Sequence, residues 1–273
     1  MARNVVLSVI GLSVLMVSPG WAQAAGPFPD RPMAAWGEGG GPAPSPMAGD
    51  TTPPPATAPS YRRSIEWYHG LAALGAIVLA TTIDEPIQRH VQDHRTQTKD
   101  DVAYVFRQLG EPEVFVPVAL APVAVGLISG NKGILRAGGR ISMSIVTAAV
   151  VTDVLKMAVG RKRPSSTDDA YDFAPFSGNE SWPSGHTTVA FAMATSVGDE
   201  IGSLPVSIAL YTAAGLTGWS RINDNRHWFS DVLAGALVGV TSAKLMNGKW
   251  KVFGISQPKF LASPKTVGVS LTF

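Results

Sequence analysis

The chain has 273 residues, room for one domain of moderate size with segments to spare at either end. Its net charge of +2 is too small to point to nucleic acid, and no aromatic-and-basic stripe runs through it. It has no cysteine, which excludes disulfides and thiolate metal sites.

Residues 1–24 predict a signal peptide. Arg3 gives a charged start, Val5 to Val17 is an apolar run, and Ala22-Gln23-Ala24 offers a small-x-small cleavage site. The run falls short of the about 20 apolar residues that span a bilayer comfortably, so export is expected. Residues 25–64 are dense in Pro, Gly, Ala and Ser, with Pro53-Pro54-Pro55 at the centre. Such a segment buries too little apolar surface to offset its ordering entropy and reads as a disordered linker.

Residues 65–247 read as a helical core. Apolar stretches cover Trp67–Ile83, Val114–Ile128, Ile141–Val159, Thr187–Val197, Leu204–Trp219 and Val232–Met246. None has the alternation of a half-buried strand. Gly160 suits the close of the third stretch, and Ser203 and Pro205 suit the start of the fifth. Asp100–Leu109 predicts a shorter amphipathic helix. The expected fold class is therefore all-α, a bundle of about six main helices. Residues 248–273 form a β-prone tail, in which Trp250–Ile255 and Thr266–Phe273 are candidates to pair as a hairpin.

The stretches approach membrane-spanning length, so the composition allows an embedded bundle. Against this, Asp153, Lys156, Asp199, Glu200 and Lys244 lie within or beside them, and the mean hydropathy of +0.16 is low for six spans. The positive-inside rule groups Arg62-Arg63, the Lys132–Arg140 loop and the lysine-bearing tail on the cytoplasmic side, leaving the polar loops after residues 160 and 221 outside. A cleaved signal followed by three crossings gives the reverse. The two signals conflict.

Three clusters carry the chemistry. Lys156 with Arg163-Pro164 supplies a point charge and a fork for two oxygens where a helix ends, though a lysine snorkelling from a helix end and a positive flank would look the same. Pro183-Ser184-Gly185-His186 opens a helix whose first N–H groups have no intrahelical partner and favour an anion, with Ser184 as cap and Gly185 open to close approach. An ordinary capped helix with a surface histidine is the plainer reading of that tetrapeptide. Ser220-Arg221 is followed by His227 and Asp231, four residues apart and so on one helical face, where a carboxylate orients an imidazole, for structure or for catalysis. Fixed cations converging with two histidines suit a tetrahedral oxyanion such as phosphate, attacked by one imidazole and released with help from the other.

The three clusters in this order, Lys156-x6-Arg163-Pro164, Pro183-Ser184-Gly185-His186 and Ser220-Arg221-x5-His227-x3-Asp231, resemble the type-2 phosphatidic acid phosphatase family. Its superfamily includes bacterial nonspecific acid phosphatases and vanadium haloperoxidases. Every specified position of the pattern is matched, and the resemblance covers residues from about 65 to 247. It implies a phosphatase without metal or other cofactor, acting on a phosphorylated lipid or a small phosphoester, with a membrane as partner and no nucleic acid. It implies His227 as nucleophile supported by Asp231, and His186 as proton donor to the leaving oxygen. Lys156, Arg163, Ser184, Gly185 and Arg221 would hold the phosphoryl oxygens. Arg161 and Arg226 fall outside the pattern and stay unassigned. The same resemblance leaves open a vanadate-dependent haloperoxidase, whose chains are generally much longer, a phosphotransferase, and a non-catalytic lipid-binding protein.

Overall fold

The computed structural model describes residues 4–8, 63–263 and 266–272. The expected linker, and the signal peptide apart from Asn4–Ser8, lie outside the described residues. Eight α-helices follow one another: α1 (Trp67–Thr81), α2 (Asp84–Asp93), α3 (Gln97–Arg107), α4 (Pro112–Ser129), α5 (Lys132–Val159), α6 (Gly185–Ile201), α7 (Leu204–Asn223) and α8 (Phe229–Met246). A short 3₁₀ turn, Gln108–Gly110, joins α3 to α4. The expected six main helices are thus corrected to eight. The helix that escaped the sequence reading is α2, whose segment DEPIQRHVQD has only Ile87 and Val91 to mark an apolar face. Asp84 and Glu85 in its first turn favour it electrostatically, and the chain bends by 50° where α1 gives way to it.

Close packing sets the helix directions. Gly126 of α4 lies against Leu135 of α5, and Gly138 of α5 against Val123 of α4, so these two run antiparallel. A Cβ on Gly138 would meet the Val123 nitrogen at 2.6 Å, so only glycine lets the backbones approach this closely. Helices α5 and α6 are also antiparallel, joined at one end by Arg140–Glu200 and meeting at the other through Lys156 and Gly185. Helices α6 and α8 run parallel. A Cβ on Gly235 would lie 2.6 Å from the Ser184 carbonyl oxygen near their start, and Lys244 pairs with Asp199 at 2.6 Å near their finish. Helix α6 is the most enclosed, with Ala190, Ala192, Ala194, Thr195 and Ser196 buried along it.

Among the described residues three helices, α4, α5 and α8, are long and apolar enough to cross a membrane, and a fourth passage exists if the bent pair α1–α2 is one span. Their outer faces expose large aliphatic side chains such as Leu120, Val125 and Ile128 on α4 and Val146, Val150 and Val154 on α5. In water these faces would be costly, and against lipid tails they are not. The fold is that of a membrane-associated bundle.

Five strands complete the described chain: β1 (Asn4–Ser8), β2 (Arg63–Ile65), β3 (Trp250–Val252), β4 (Lys259–Ser263) and β5 (Thr266–Thr272). The tail does form a hairpin, but β5 pairs antiparallel with β4 and with β1 rather than with Trp250–Ile255. Strand β3 is instead taken by β2 in a parallel pair. The chain reverses just after β3, where Phe253 and Gly254 have φ of 50° and 82°, which carries the following residues away from it.

The β2–β3 pair fixes where the core begins and ends. Arg63 enters beside Trp250, which follows the C-terminus of α8, while the junctions α5–α6 and α7–α8 lie at the other end of the bundle. Six helical passages separate β2 from β3 if α1–α2 counts as one and α3, which lies beside the last turns of α7, is not counted. The conflict between an exported linker and outward loops therefore has a geometric cause: residue 63 stands at the end opposite those loops. Because the chain lacks cysteine, single introduced cysteines can test this. Arg63→Cys and Lys251→Cys should react with a membrane-impermeant maleimide from one side of the membrane, and Ser177→Cys from the other. Labelling of Arg63→Cys and Ser177→Cys from the same side would rule out this arrangement.

Candidate active site

At the junction end, α5 stops at Gly160, whose φ of 59° is left-handed and whose missing Cβ makes room for the Ala174 carbonyl. The turn sends Arg161 inward, where it is 1% exposed. Its guanidinium uses every N–H it has. Nε donates to the Ala170 carbonyl at 3.0 Å, Nη1 to Ser230 Oγ at 2.8 Å and Asp231 Oδ1 at 2.5 Å, and Nη2 to Asp84 Oδ2 at 2.7 Å and Ala170 O at 2.6 Å. The rings of Phe173 and Trp228 lie 5.3 and 5.4 Å from it. Asp84 in turn accepts from the Ser230 backbone N–H at 2.8 Å, so α2 is fastened to the start of α8.

Asp231 sits in the first turn of α8 and reaches back to accept the Trp228 N–H at 2.9 Å, a capping arrangement. The same Oδ2 accepts from Ser181 Oγ at 2.6 Å. It lies 3.6 Å from His227 Nδ1, beyond hydrogen-bond range. The Ser181 carbonyl accepts from Nδ1 instead, at 2.7 Å. A carbonyl only accepts, so Nδ1 carries the proton and Nε2 of the neutral ring keeps its lone pair. The tautomer expected from an Asp231 partner is present, but a backbone oxygen sets it and the carboxylate supplies nearby negative charge. Burial, opposed by Asp231 and reinforced by Arg221 and Arg163, pushes His227 down to about 4. The ring is neutral through the physiological range.

His227 lines a cavity of about 610 Å³ together with Lys156, Arg163, Gly185, His186 and Arg221. These six sequence-selected residues come from α5, the loop after it, α6, α7 and the α7–α8 loop, and the fold brings them together. Lys156 Nζ lies 3.6 Å from where a Gly185 Cβ would stand. The buried Arg221 Nε has no hydrogen-bond partner among the described residues. Asp231 and Ser184 stand behind the wall. Ser184 occupies the N-cap position of α6, but its hydroxyl accepts from Thr187 Oγ1 at 2.9 Å rather than from a backbone N–H. Among the described residues no group of three or more His, Cys, Asp or Glu side chains gathers to hold a metal.

Sequence reasoning missed Glu111, which ends the 3₁₀ turn and caps α4. Its Oε1 lies 3.0 Å from His186 Nε2, and the preceding Gly110 packs so tightly that a Cβ there would meet His186 Cβ at 2.6 Å. The carboxylate is held below its ordinary range, chiefly by that hydrogen bond. His186 is lowered by burial and by Arg221, and Glu111 works in the opposite direction. Arg95, Arg107, Asp224 and Arg226 also line the cavity. Arg161 and Arg226 were visible as basic neighbours of the motifs. Glu111, Ser181 and Asp84 carry no local signal beyond a carboxylate before Pro112 and a serine near Pro183.

The helical bundle thus gathers two histidines and fixed cations in one cavity at one end. A sequence profile described as the PAP2 superfamily matches residues 137–251. Similar proteins include a lipid A 1-phosphatase of Porphyromonas gingivalis, 39% identical over 127 residues that cover 44% of this chain and 26% of that one. Lipid phosphate phosphatase 1 of Arabidopsis thaliana is 28% identical over 212 residues, 63% of this chain and 64% of its own. The match thus spans from about a quarter to under two thirds of the length of these relatives. The fold is similar to the crystal structure of a transmembrane PAP2-type phosphatidylglycerolphosphate phosphatase from Bacillus subtilis, with TM-score 0.53 and 22% identity over 66% of this chain and 95% of that one.

The Arg161 network makes a direct stability prediction. Arg161→Met leaves Asp84 and Asp231 buried without their counter-ion, an arrangement that costs roughly 3–5 kcal/mol. Thermal unfolding in detergent should show a large fall in midpoint, and Arg161→Met combined with Asp84→Asn should lose less than the two single losses added. Additive losses would mean that the two groups are not coupled.

Proposed function

We propose that the chain is a phosphatase that removes phosphoryl groups from phosphomonoesters or diphosphates of lipids through a phosphohistidine on His227, without a metal. One observation carries this reading: a neutral imidazole, its Nδ1–H fixed on the Ser181 carbonyl, lines the same cavity as Lys156, Arg163, Arg221 and a second imidazole. His227 Nε2 attacks phosphorus and the bond to the leaving oxygen breaks. The proton of His186 goes to that oxygen, giving a free alcohol. Positive charge that develops on the His227 ring is met by Asp231 at 3.6 Å. Water then attacks the phosphohistidine, His186 takes its proton, and phosphate and neutral His227 are released.

Lys156, Arg163 and Arg221 with the first-turn N–H groups of α6 hold the phosphoryl oxygens, and the unpaired Arg221 Nε gains an acceptor there. An orphaned buried donor of this kind costs about 1–3 kcal/mol, which an anion relieves. Ser184 shapes the turn that presents those groups. Lipid-borne phosphate is favoured because the cavity opens at the end of helices with lipid-compatible faces, and because relatives are named as lipid phosphatases. An outward, periplasmic site is favoured by Lys132, Arg136 and Lys251 lying toward the opposite end.

Leaving-group chemistry separates the two histidines. In EDTA, His227→Ala should give no phosphoenzyme with any ester. His186→Ala should lose roughly 10²–10⁴-fold on an alkyl phosphate, whose alkoxide needs a proton, and far less on a nitrophenyl phosphate. Equal losses on both esters for both variants would contradict these roles.

The pH profile tests Glu111. In the free enzyme kcat/KM requires neutral His227 and protonated His186. Activity should fail as pH drops through about 4, where His227 takes a proton. It should also fail on the alkaline side, below the ordinary imidazole range of about 6.5, as His186 loses its proton. Glu111 raises His186, so Glu111→Gln should move the alkaline limb to lower pH while the acid limb stays. A uniform loss of rate with both limbs fixed would reduce Glu111 to a structural cap.

A further inference from the structure

The loop between α5 and α6 is charged on both sides of one short apolar run. Asp168, Asp169 and Asp172 precede the run and Glu180 follows it, while Phe173-Ala174-Pro175-Phe176-Ser177-Gly178 carries no charge. Within it the Ser177 N–H donates to the Ala174 carbonyl at 3.2 Å and closes a turn. Pro175 holds the second position of that turn, and Phe176 at the third has a left-handed φ of 61°. Proline second and a left-handed third residue are the pattern of a type II turn, which calls for glycine or asparagine at the third position. For a residue as bulky as phenylalanine the conformation is strained.

Nothing inside the chain offsets that strain. Phe176 is 82% exposed, so its ring packs against almost nothing in the protein. Glycine would make the same turn at lower cost, so the ring has its use outside the fold.

The backbone shows where that use lies. The last carbonyls of α5 have no partner within the helix, and the Phe176 N–H takes one of them, donating to Met157 O at 2.9 Å. The turn is thereby seated on the last turns of α5, beside Met157, whose side chain is exposed. Met157 continues the stripe of Val146, Val150 and Val154 that suits lipid. Asp153 is exposed on the same face, one turn or about 6 Å further from the helix end. A carboxylate there needs polar surroundings, so the lipid headgroups extend to within its reach, and Met157 and Phe176 lie among them. Lys156, the neighbour of Met157, lines the cavity. The phosphate site and the Phe176 turn therefore share one depth.

We propose that Phe176 is an interfacial anchor: its ring inserts among the lipids beside the cavity and holds the cavity at the depth of lipid phosphate groups. The partner is the bilayer itself, because the ring continues a face that already suits lipid. The depth-setting role rests on the phosphatase reading.

The test uses the cysteine-free full chain reconstituted in phosphatidylcholine vesicles. A nitrobenzoxadiazole label on Phe176→Cys should be quenched by lipids bearing a nitroxide near the carbonyl end of the acyl chain, and shielded from iodide present on both sides. The same label on Asp168→Cys, in the charged part of the loop, should show the reverse. Phe176→Gly relieves the turn, so its unfolding midpoint should not fall. Its kcat/KM on a two-chain phosphomonoester held in the vesicles should drop about fivefold or more, part of the roughly tenfold or greater effect of fully burying one phenylalanine. On a short soluble alkyl phosphate, which needs no bilayer contact, the loss should stay below about twofold. Equal iodide quenching of the two labels, equal losses on the two esters, or a lowered midpoint overturns the anchor. Shielding that follows protein density instead of nitroxide lipid also overturns it, assigning the ring to a second copy of the chain. A lipid-quenched label with no hydrolysis of either ester leaves the anchor standing and counts against the phosphatase reading instead.

Discussion

The site depends on one desolvated cation. Arg161 sits between Asp84 of α2 and Asp231 of α8 with all its donors engaged, and neither carboxylate is accessible to water. Such a triad gains little net stability over well-packed apolar side chains, because desolvation offsets the attraction. Its contribution is geometric. It closes a junction that α2, the loop after α5 and the start of α8 would otherwise leave free to slide, and it fixes one oxygen of Asp231.

The other oxygen of Asp231 then organises the loop before α6. Ser181 donates its hydroxyl to Asp231 and offers its carbonyl to His227, so a single residue passes the position of the carboxylate to the imidazole. Movement in Asp231 would be felt at His227 through the backbone rather than through a direct hydrogen bond. Glu111 stands to His186 in a comparable position, but on the opposite wall and at a polar, partly exposed edge. The two histidines thus differ in surroundings as well as place. One is enclosed and driven far toward neutrality, and the other is less buried and tied to a carboxylate.

Much of this was legible in the chain itself, and the rest was not, for physical reasons. Long apolar segments give helices their own signal, so α4, α7 and α8 could be read within a few residues, whereas Lys132–Arg140, expected as a loop because of its charges and glycines, forms the first turns of α5. The motif residues could be gathered because each sits at a helix end, where a break in periodicity marks the turn. Helix α2 is short and polar, and its role lies in what Gln88 and Gln92 touch 130 or more residues away and what Asp84 touches in the α5–α6 loop. Ser181 is selected by its carbonyl, a group every residue has. Strand β2 is three residues long and is defined only by a partner at the far end of the core. Contacts of this kind leave no periodicity behind them.

The helix directions also explain how an apolar bundle tolerates so much positive charge at one end before any ligand arrives. Helices α5 and α7 finish at the cavity, and each carries its cation, Lys156 or Arg221, in its last turn. There the unpaired carbonyls of the helix end present partial negative charge, which favours a cation by about 0.3–1 kcal/mol or somewhat more where partly buried. Helices α6 and α8 begin at the same place and present the opposite pole. The cavity is therefore a meeting of four helix ends with alternating polarity, two that keep the protein's own cations in place and two that face an incoming anion. Reversing the order of any one helix would remove one side of that balance, so the up-and-down course of the chain is itself part of the electrostatics.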